Sequence, residues 1–270
     1  MFEPWTGAIV CFMSDCLTDI VAVSDRPGVS RWHAVAPSGS VVGSASLRPD
    51  LPFPSSVPSV PELRLYVEPE QRRRGIGSRL LTAVQERATE TRLATDVAPD
   101  SPGESFCLRH GFRNPRIRRH DLLTYCDVHQ AWLGELVDAE HPGYRLTHWT
   151  GDLPSTAGAE ALLRGPSRPG NAVLTAADMD GDLAAYVVAV VGGQLQPRAR
   201  QYGPTVFPEH RGRRLGRWVN AALIRRLREV HPHVSEIETA TAGDGRHSVG
   251  TLEDLGFRLL RRMRRYELTL

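Results

Sequence analysis

Apolar residues change their period twice along this chain, in the same order each time. Leu63, Leu65 and Val67 alternate with Arg64 and Tyr66, the two-residue period of a half-buried strand. From Gly75 the period lengthens, and Ile76, Leu80, Leu81, Val84 and Ala88 fall on one side of a helix. In the second half Tyr202–Phe207 reads as a strand, and Leu215, Val219, Leu223 and Leu227 stripe the helix after it.

The flanking segments fit the same plan. Arg31–Ala36, a turn at Pro37-Ser38-Gly39-Ser40 and Val41–Leu47 predict two strands, and residues 48–61 a Pro- and Ser-rich loop. Leu93–Val97 predicts a strand and Pro102–His110 a short helix stopped by Gly111. Arg113–Cys126 predicts one or two strands. Asp127–Ala139 predicts a bridging helix, ended by His141-Pro142-Gly143. Beyond it come a strand at Tyr144–Trp149, a helix over Pro154–Leu163, and a hairpin of Ala172–Ala177 and Leu183–Val191 around Asp180-Gly181. A strand at Ile237–Ala240, a helix near Val249–Leu255 and two closing strands complete the pattern.

The letters at the strand-to-helix junctions also repeat. Val67-Glu68-Pro69-Glu70-Gln71-Arg72-Arg73-Arg74-Gly75-Ile76-Gly77-Ser78 is matched by Val206-Phe207-Pro208-Glu209-His210-Arg211-Gly212-Arg213-Arg214-Leu215-Gly216-Arg217, 139 positions later. Each is followed by a Gly-Phe pair, Gly111-Phe112 and Gly256-Phe257. The 270 residues therefore predict two duplicated domains, 1–141 and 142–270.

Each junction has the chemistry of a pyrophosphate cradle. A helix N-terminus presents unbonded N–H groups and about half a positive charge. Glycines let phosphate oxygens approach the backbone, and arginines add charge-assisted hydrogen bonds.

These residues resemble the coenzyme motif of the GNAT superfamily of acetyl-CoA-dependent N-acetyltransferases, closely at Val67–Ser78 and fairly at Val206–Arg217. The arrangement resembles the tandem acetyltransferases of actinobacteria, such as mycothiol synthase. The resemblance implies an α/β (α+β) fold of two units, each a mixed, mostly antiparallel sheet flanked by helices. It implies acetyl-CoA as cofactor, its arm against Leu65, Tyr66 and Val67 and its pyrophosphate on Arg72, Arg73, Arg74, Gly75, Ile76, Gly77 and Ser78. The second set is Val206, Arg211, Gly212, Arg213, Arg214, Leu215, Gly216 and Arg217. The implied reaction is attack of a neutral amine on the thioester, and the implied partner is an amine-bearing small molecule or peptide.

Two departures bear on catalysis. Arg214 replaces a central glycine, which makes the second cradle the weaker one. The family often places a tyrosine acid five residues before the Phe of Gly-Phe, where this chain has Cys107 and Leu252. Cys107 is therefore the candidate acid, with an ordinary pKa of about 8.5, or else a small buried apolar residue. Glu62, at the head of the strand entering the first cradle, is the candidate base. Both halves are short where the family builds its acceptor site, so an acceptor site that is open, or shared between the halves, is expected. An alternative is a catalytically silent tandem fold holding acyl-CoA as a structural or sensory ligand.

Composition narrows the partners. All 33 basic residues are arginine, yet the net charge is only +2, which argues against nucleic acid despite the clusters Arg72–Arg74, Arg116–Arg119, Arg225–Arg228 and Arg261–Arg265. Cys11, Cys16, Cys107 and Cys126 have neither metal-ligand nor disulfide-framework spacing, so no metal is expected. The apolar run Ala8–Met13 is too short for a membrane span, and a cytoplasmic location is the expectation.

Overall fold

The computed structural model describes residues 18–26, 29–48, 60–89, 91–154, 157–192, 196–242 and 246–270. The chain forms two compact units: Met1–Arg48 with Leu63–Thr89, and Pro49–Glu62 with Glu90–Leu270. Cys11, Cys16, the Ala8–Met13 run and most of the 48–61 loop lie outside the described residues.

In the first unit, strands β1 (Asp19–Arg26), β2 (Val29–Val35), β3 (Val41–Arg48) and β4 (Glu62–Val67) lie in that order. Trp32, Ala34, Ala45 and Leu63 are buried, and helix α1 (Ile76–Gln85) buries Ile76, Leu80, Leu81 and Val84. Each such side chain contributes about 1.5–3 kcal/mol by leaving water. The helix ends before Ala88, the last member of the predicted stripe. Gly43 allows a close approach, since a Cβ there would lie 3.0 Å from the Tyr66 carbonyl oxygen. Strand β1 has no counterpart among the predicted elements. Its apolar residues occupy both faces, as with half-buried Ile20 and exposed Val21, so it does not alternate.

The second unit contains β5 (Arg92–Val97), α2 (Pro102–Arg109), β6 (Arg113–Thr124), α3 (Gln130–Asp138), β7 (Arg145–Gly151), α4 (Ala159–Arg164), β8 (Ala172–Met179), β9 (Asp182–Val191), β10 (Arg198–Val206), α5 (Leu215–Val230), β11 (Glu236–Ala242), α6 (Arg246–Asp254) and β12 (Arg258–Thr269). Its strand order is β5-β12-β6-β11-β10-β9-β8-β7, antiparallel except for β10 with β11. This is the expected mixed, mostly antiparallel sheet. Glu62, the first residue of β4, belongs to this unit and pairs in parallel with Ala94. The predicted helix over 154–163 is confined to α4, which starts at Ala159 after Gly158. The two expected closing strands are one continuous strand, β12.

The last strands of the two sequence repeats are exchanged. β12, from the second repeat, pairs with β5 of the first, while β6 of the first pairs with β11 of the second. β6 and β12 then pair with each other, Arg116 opposite Arg265, Arg118 opposite Met263 and His120 opposite Arg261. Adding 145 to the β6 numbers gives the β12 numbers (118 becomes 263), so a local pseudo-twofold axis passes through the Arg118–Met263 pair.

The two Gly-Phe pairs close their helices alike. Gly111 and Gly256 are left-handed at φ 83° and 94°, and Phe112 and Phe257 donate back to the carbonyls of Cys107 and Leu252, each at 3.0 Å. Both phenylalanines are buried. The predicted stripe of α5 is wholly buried, and the Tyr125 hydroxyl fixes the helix by donating to the Ile224 carbonyl at 2.7 Å.

Candidate coenzyme cradles and acceptor face

The first cradle is a 3-10 turn (Pro69–Gln71) followed by two left-handed residues, Arg73 at φ 65° and Gly75 at φ 77°. Left-handed backbone beside a helix start turns successive N–H groups toward one point, an anion-binding nest. Gly75 is the N-cap of α1 and supplies no capping side chain, so the first-turn N–H groups receive no side-chain cap. A Cβ at Gly75 would meet nothing within 4 Å. Arg72 donates from Nε to the Val67 carbonyl at 3.0 Å, tying the turn to the end of β4. Leu65 and Val67 are half-buried, whereas Tyr66 is exposed and donates to Glu68 Oε2 at 3.0 Å.

The second cradle reproduces this backbone with glycine and arginine interchanged. Gly212 is at φ 78° and Arg214, the N-cap of α5, at φ 60°. Each cradle thus has two left-handed residues, one glycine and one arginine. Two of the second cradle's arginines are held by side chains. Arg213 donates to the Tyr144 hydroxyl at 2.8 Å, and that hydroxyl lies 3.0 Å from His210 Nδ1. Arg217 pairs with Asp254 at 3.4 Å and stacks on Trp132. Gly216 packs closely, since a Cβ there would meet Val206 Cγ2 at 3.3 Å and Pro204 Cγ at 3.5 Å.

β10 and β11 pair only from Arg198/Glu236 to Gln201/Thr239; beyond that point β10 follows β9 and β11 follows β6. Buried polar groups collect where they part. Gln201 is 2% exposed and Asn220 is 0% exposed, and neither amide finds a hydrogen-bond partner among the described residues. Thr241 Oγ1 is likewise unsatisfied. Asn220 lies one helical turn after Gly216, on the side of α5 that meets β10. Orphaned buried amides cost about 1–3 kcal/mol each unless something bonds them. They fit an amide-bearing chain between the strands, as the helix starts fit a pyrophosphate. Sequence reading missed these residues; the available signal was a polar letter at i+4 from Gly216 inside an apolar stripe.

Glu62 pairs with Arg200 at 2.9 Å, both about one-fifth exposed. Glu62 is the parallel partner of Ala94 on β5, and Arg200 that of Glu238 on β11. On the same face, His120 Nδ1 lies 3.0 Å from Glu238 Oε1. His120 Nε2 stands 3.4 Å from Asp96 Oδ2 without hydrogen-bond alignment. Arg261 also bonds Glu238, and Arg265 reaches Asp96 at 3.5 Å. Hydrogen bonding to His120, with the Arg261 charge, holds Glu238 down at about 2. Burial pulls His120 down, but the two carboxylates outweigh it and raise its pKa. None of this cluster is visible as a motif, because its members come from four strands.

Cys107 is 3% exposed on α2, and burial, assisted by the Glu104 charge, raises its thiol to about 11. Glu104 accepts from Tyr266, Arg264 and the Asp100 N–H, bonds that hold it at about 2. Cys126 is exposed.

Residues 10–112 match the model of the Acetyltransferase (GNAT) family. Among solved structures, a tandem GNAT protein from the clavulanic acid biosynthesis pathway superimposes with a TM-score of 0.63 at 24% identity, covering 90% of this chain and 84% of its own. The fold is a tandem GNAT fold. A GCN5-related N-acetyltransferase-like protein from Streptococcus suis gives 0.54 at 14% identity over 86% of each chain. A GCN5-related N-acetyltransferase from Kribbella flavida gives 0.52 at 14% identity, over 84% of this chain and 86% of its own. No curated protein matches in sequence. Among the described residues no helix is long and apolar enough to cross a membrane.

Proposed function

We propose that this tandem GNAT chain is an N-acyltransferase that uses acetyl-CoA and an amine acceptor, its repeats being residues 1–141 and 142–270. The observation that carries the reading is the first cradle: an uncapped helix start behind two left-handed residues, with Arg72, Arg73 and Arg74 beside it. The match of residues 10–112 to the acetyltransferase family supports it. So does the fold shared with a tandem protein whose described form is "without AcCoA".

Bound acetyl-CoA supplies an activated acyl group. The residues of this chain bind and orient it and manage the proton. The N–H groups of Arg73 to Ser78 hold the pyrophosphate, and Leu65 to Val67 offer strand backbone to the pantetheine arm. The second cradle, with Gln201 and Asn220 behind it, offers the same kind of backbone contacts, with Arg213 and Arg217 held by Tyr144 and Asp254. Glu62 takes the proton of the incoming ammonium, directly or through water, and Arg200 holds its carboxylate in place. Cys107 is carried as the proton donor to the leaving thiolate; its burial keeps it a neutral thiol.

Titration calorimetry with acetyl-CoA, followed by thiol-release assays on an amine panel, tests the reading. Binding that Gly75→Glu removes, together with turnover of at least one amine, is the expected result. Binding without turnover on any amine would leave only a coenzyme-holding role.

A further inference from the structure

The centre of the second unit's sheet carries more positive charge than its own partners neutralise. On one face β6 presents Arg116, Arg118 and His120, and β12 presents Arg265, Met263 and Arg261 directly opposite them. Two of the three cross-strand pairs, Arg116–Arg265 and His120–Arg261, therefore set cation against cation, which destabilises an antiparallel ladder. Part of the excess is answered. Arg265 has Asp96, and His120 and Arg261 share Glu238. Arg116 and Arg118, at the pseudo-twofold axis, form no ion pair or hydrogen bond among the described residues. The Arg118 charge nonetheless contributes to lowering the Asp96 carboxyl, so it acts on this face. α2 and α6 reach the opposite face, through Glu104 to Tyr266 and through Glu253 to Arg119.

We propose that Arg116 and Arg118, with Arg261 and Arg265 beside them, form an anion seat for the acceptor, which is therefore an amine that also carries a carboxylate or phosphate group. The proposal rests on the acyltransferase reading for the word acceptor, but the seat itself rests on charge and placement. Guanidinium groups match both anions with paired N–H donors. An anion there answers the unpaired guanidinium charge, one negative charge from a carboxylate or up to about two from a phosphate, and relieves the like-charge pairs. Glu62, the proposed base, is on the same face: it pairs with Ala94, two residues before Asp96, and Asp96 is opposite Arg265. One acceptor molecule thus meets a seat for its anion and a base for its amine on neighbouring strands. A local rule broken inside an otherwise consistent sheet is what a binding function leaves behind.

Two measurements on the full chain test this. The first compares KM at saturating acetyl-CoA for matched amines: 4-aminobutyrate against butylamine, and phosphoethanolamine against propylamine. At least one anionic member should have a KM tenfold or more below its neutral partner. The double variant Arg116→Ser/Arg118→Ser should abolish that advantage while moving the neutral KM less than twofold. Equal KM within both pairs, or an advantage that survives the double variant, overturns the proposal. The second titrates inorganic phosphate and succinate into wild type and double variant, with acetyl-CoA binding recorded on the same samples. Anion binding lost in the variant upholds the seat even if no amine turns over, in which case the acyltransferase reading alone fails. Unchanged anion binding in the variant overturns the seat. So does salt-sensitive binding of a single-stranded oligonucleotide that the same variant weakens and neither small anion matches.

Discussion

Glu62, at the head of β4, and Arg200, in β10, bind each other at 2.9 Å. The pair gives Glu62 a fixed orientation toward the face carrying Asp96, His120 and Glu238. Glu62→Gln keeps the shape and removes the base. It is expected to lower kcat about a hundredfold while acetyl-CoA affinity stays put. Steady-state kinetics beside calorimetry checks this, and an unchanged kcat would assign the base elsewhere.

Gly75→Glu is expected to abolish coenzyme binding at the first cradle by placing a carboxylate against the pyrophosphate. Gly75→Asn is the control, because asparagine tolerates left-handed backbone and a Cβ there meets nothing. Retained binding in the Asn variant and loss in the Glu variant separate charge from backbone strain. Equal loss in both would point to strain.

Arg214→Gly should stabilise the chain by about 0.5–1 kcal/mol. It removes a left-handed non-glycine residue costing ~1–2 kcal/mol and adds unfolded-chain entropy worth ~0.4–1 kcal/mol. Denaturant midpoints check the sign. Tighter acetyl-CoA binding in the same variant would show that the second cradle is limited by this one residue.

The His120 cluster has a defined pH window. Glu238 is depressed, so its contribution is present above its ordinary value of 4.5 and lost as pH falls toward 2. His120 is raised, so its contribution is present below 6.5 and lost as pH rises through its elevated folded value. The melting-temperature difference between wild type and His120→Gln should therefore be greatest between pH 4.5 and 6.5. It should shrink on the alkaline side. A difference that does not vary with pH would mean that His120 is neutral in the folded chain.

Cys107 distinguishes a donor from a packing residue. Cys107→Ala removes both functions, whereas Cys107→Ser keeps a donor of similar size. A fall in kcat of tenfold or more in the alanine variant, rescued by serine, is expected of the acid. A loss of stability near ~1 kcal/mol with kcat intact in both would make Cys107 a core residue only.

Much of this architecture was legible because each repeat follows simple rules. The α1 and α5 stripes, the hairpin at Asp180-Gly181 and the paired Gly-Phe stops all needed only local periodicity and turn chemistry. The exchange of β6 and β12 was not legible. Both strands carry similar arginine-rich patterns, and nothing local says whether a strand lies beside β5 or β11. Nor was the like-charge contact legible, because nothing local sets Arg116 opposite Arg265. Gln201 and Asn220 were hidden for a related reason. A buried amide is recognisable only once its missing partners can be counted.

The interleaving of β12 and β6 means that cutting the polypeptide near Pro142 would not release two self-sufficient halves. Each piece would carry away a strand that completes the other's sheet, so the pieces would have to find each other to regain their form. The fold is thereby a property of the whole polypeptide: neither half can be shed without unmaking the other.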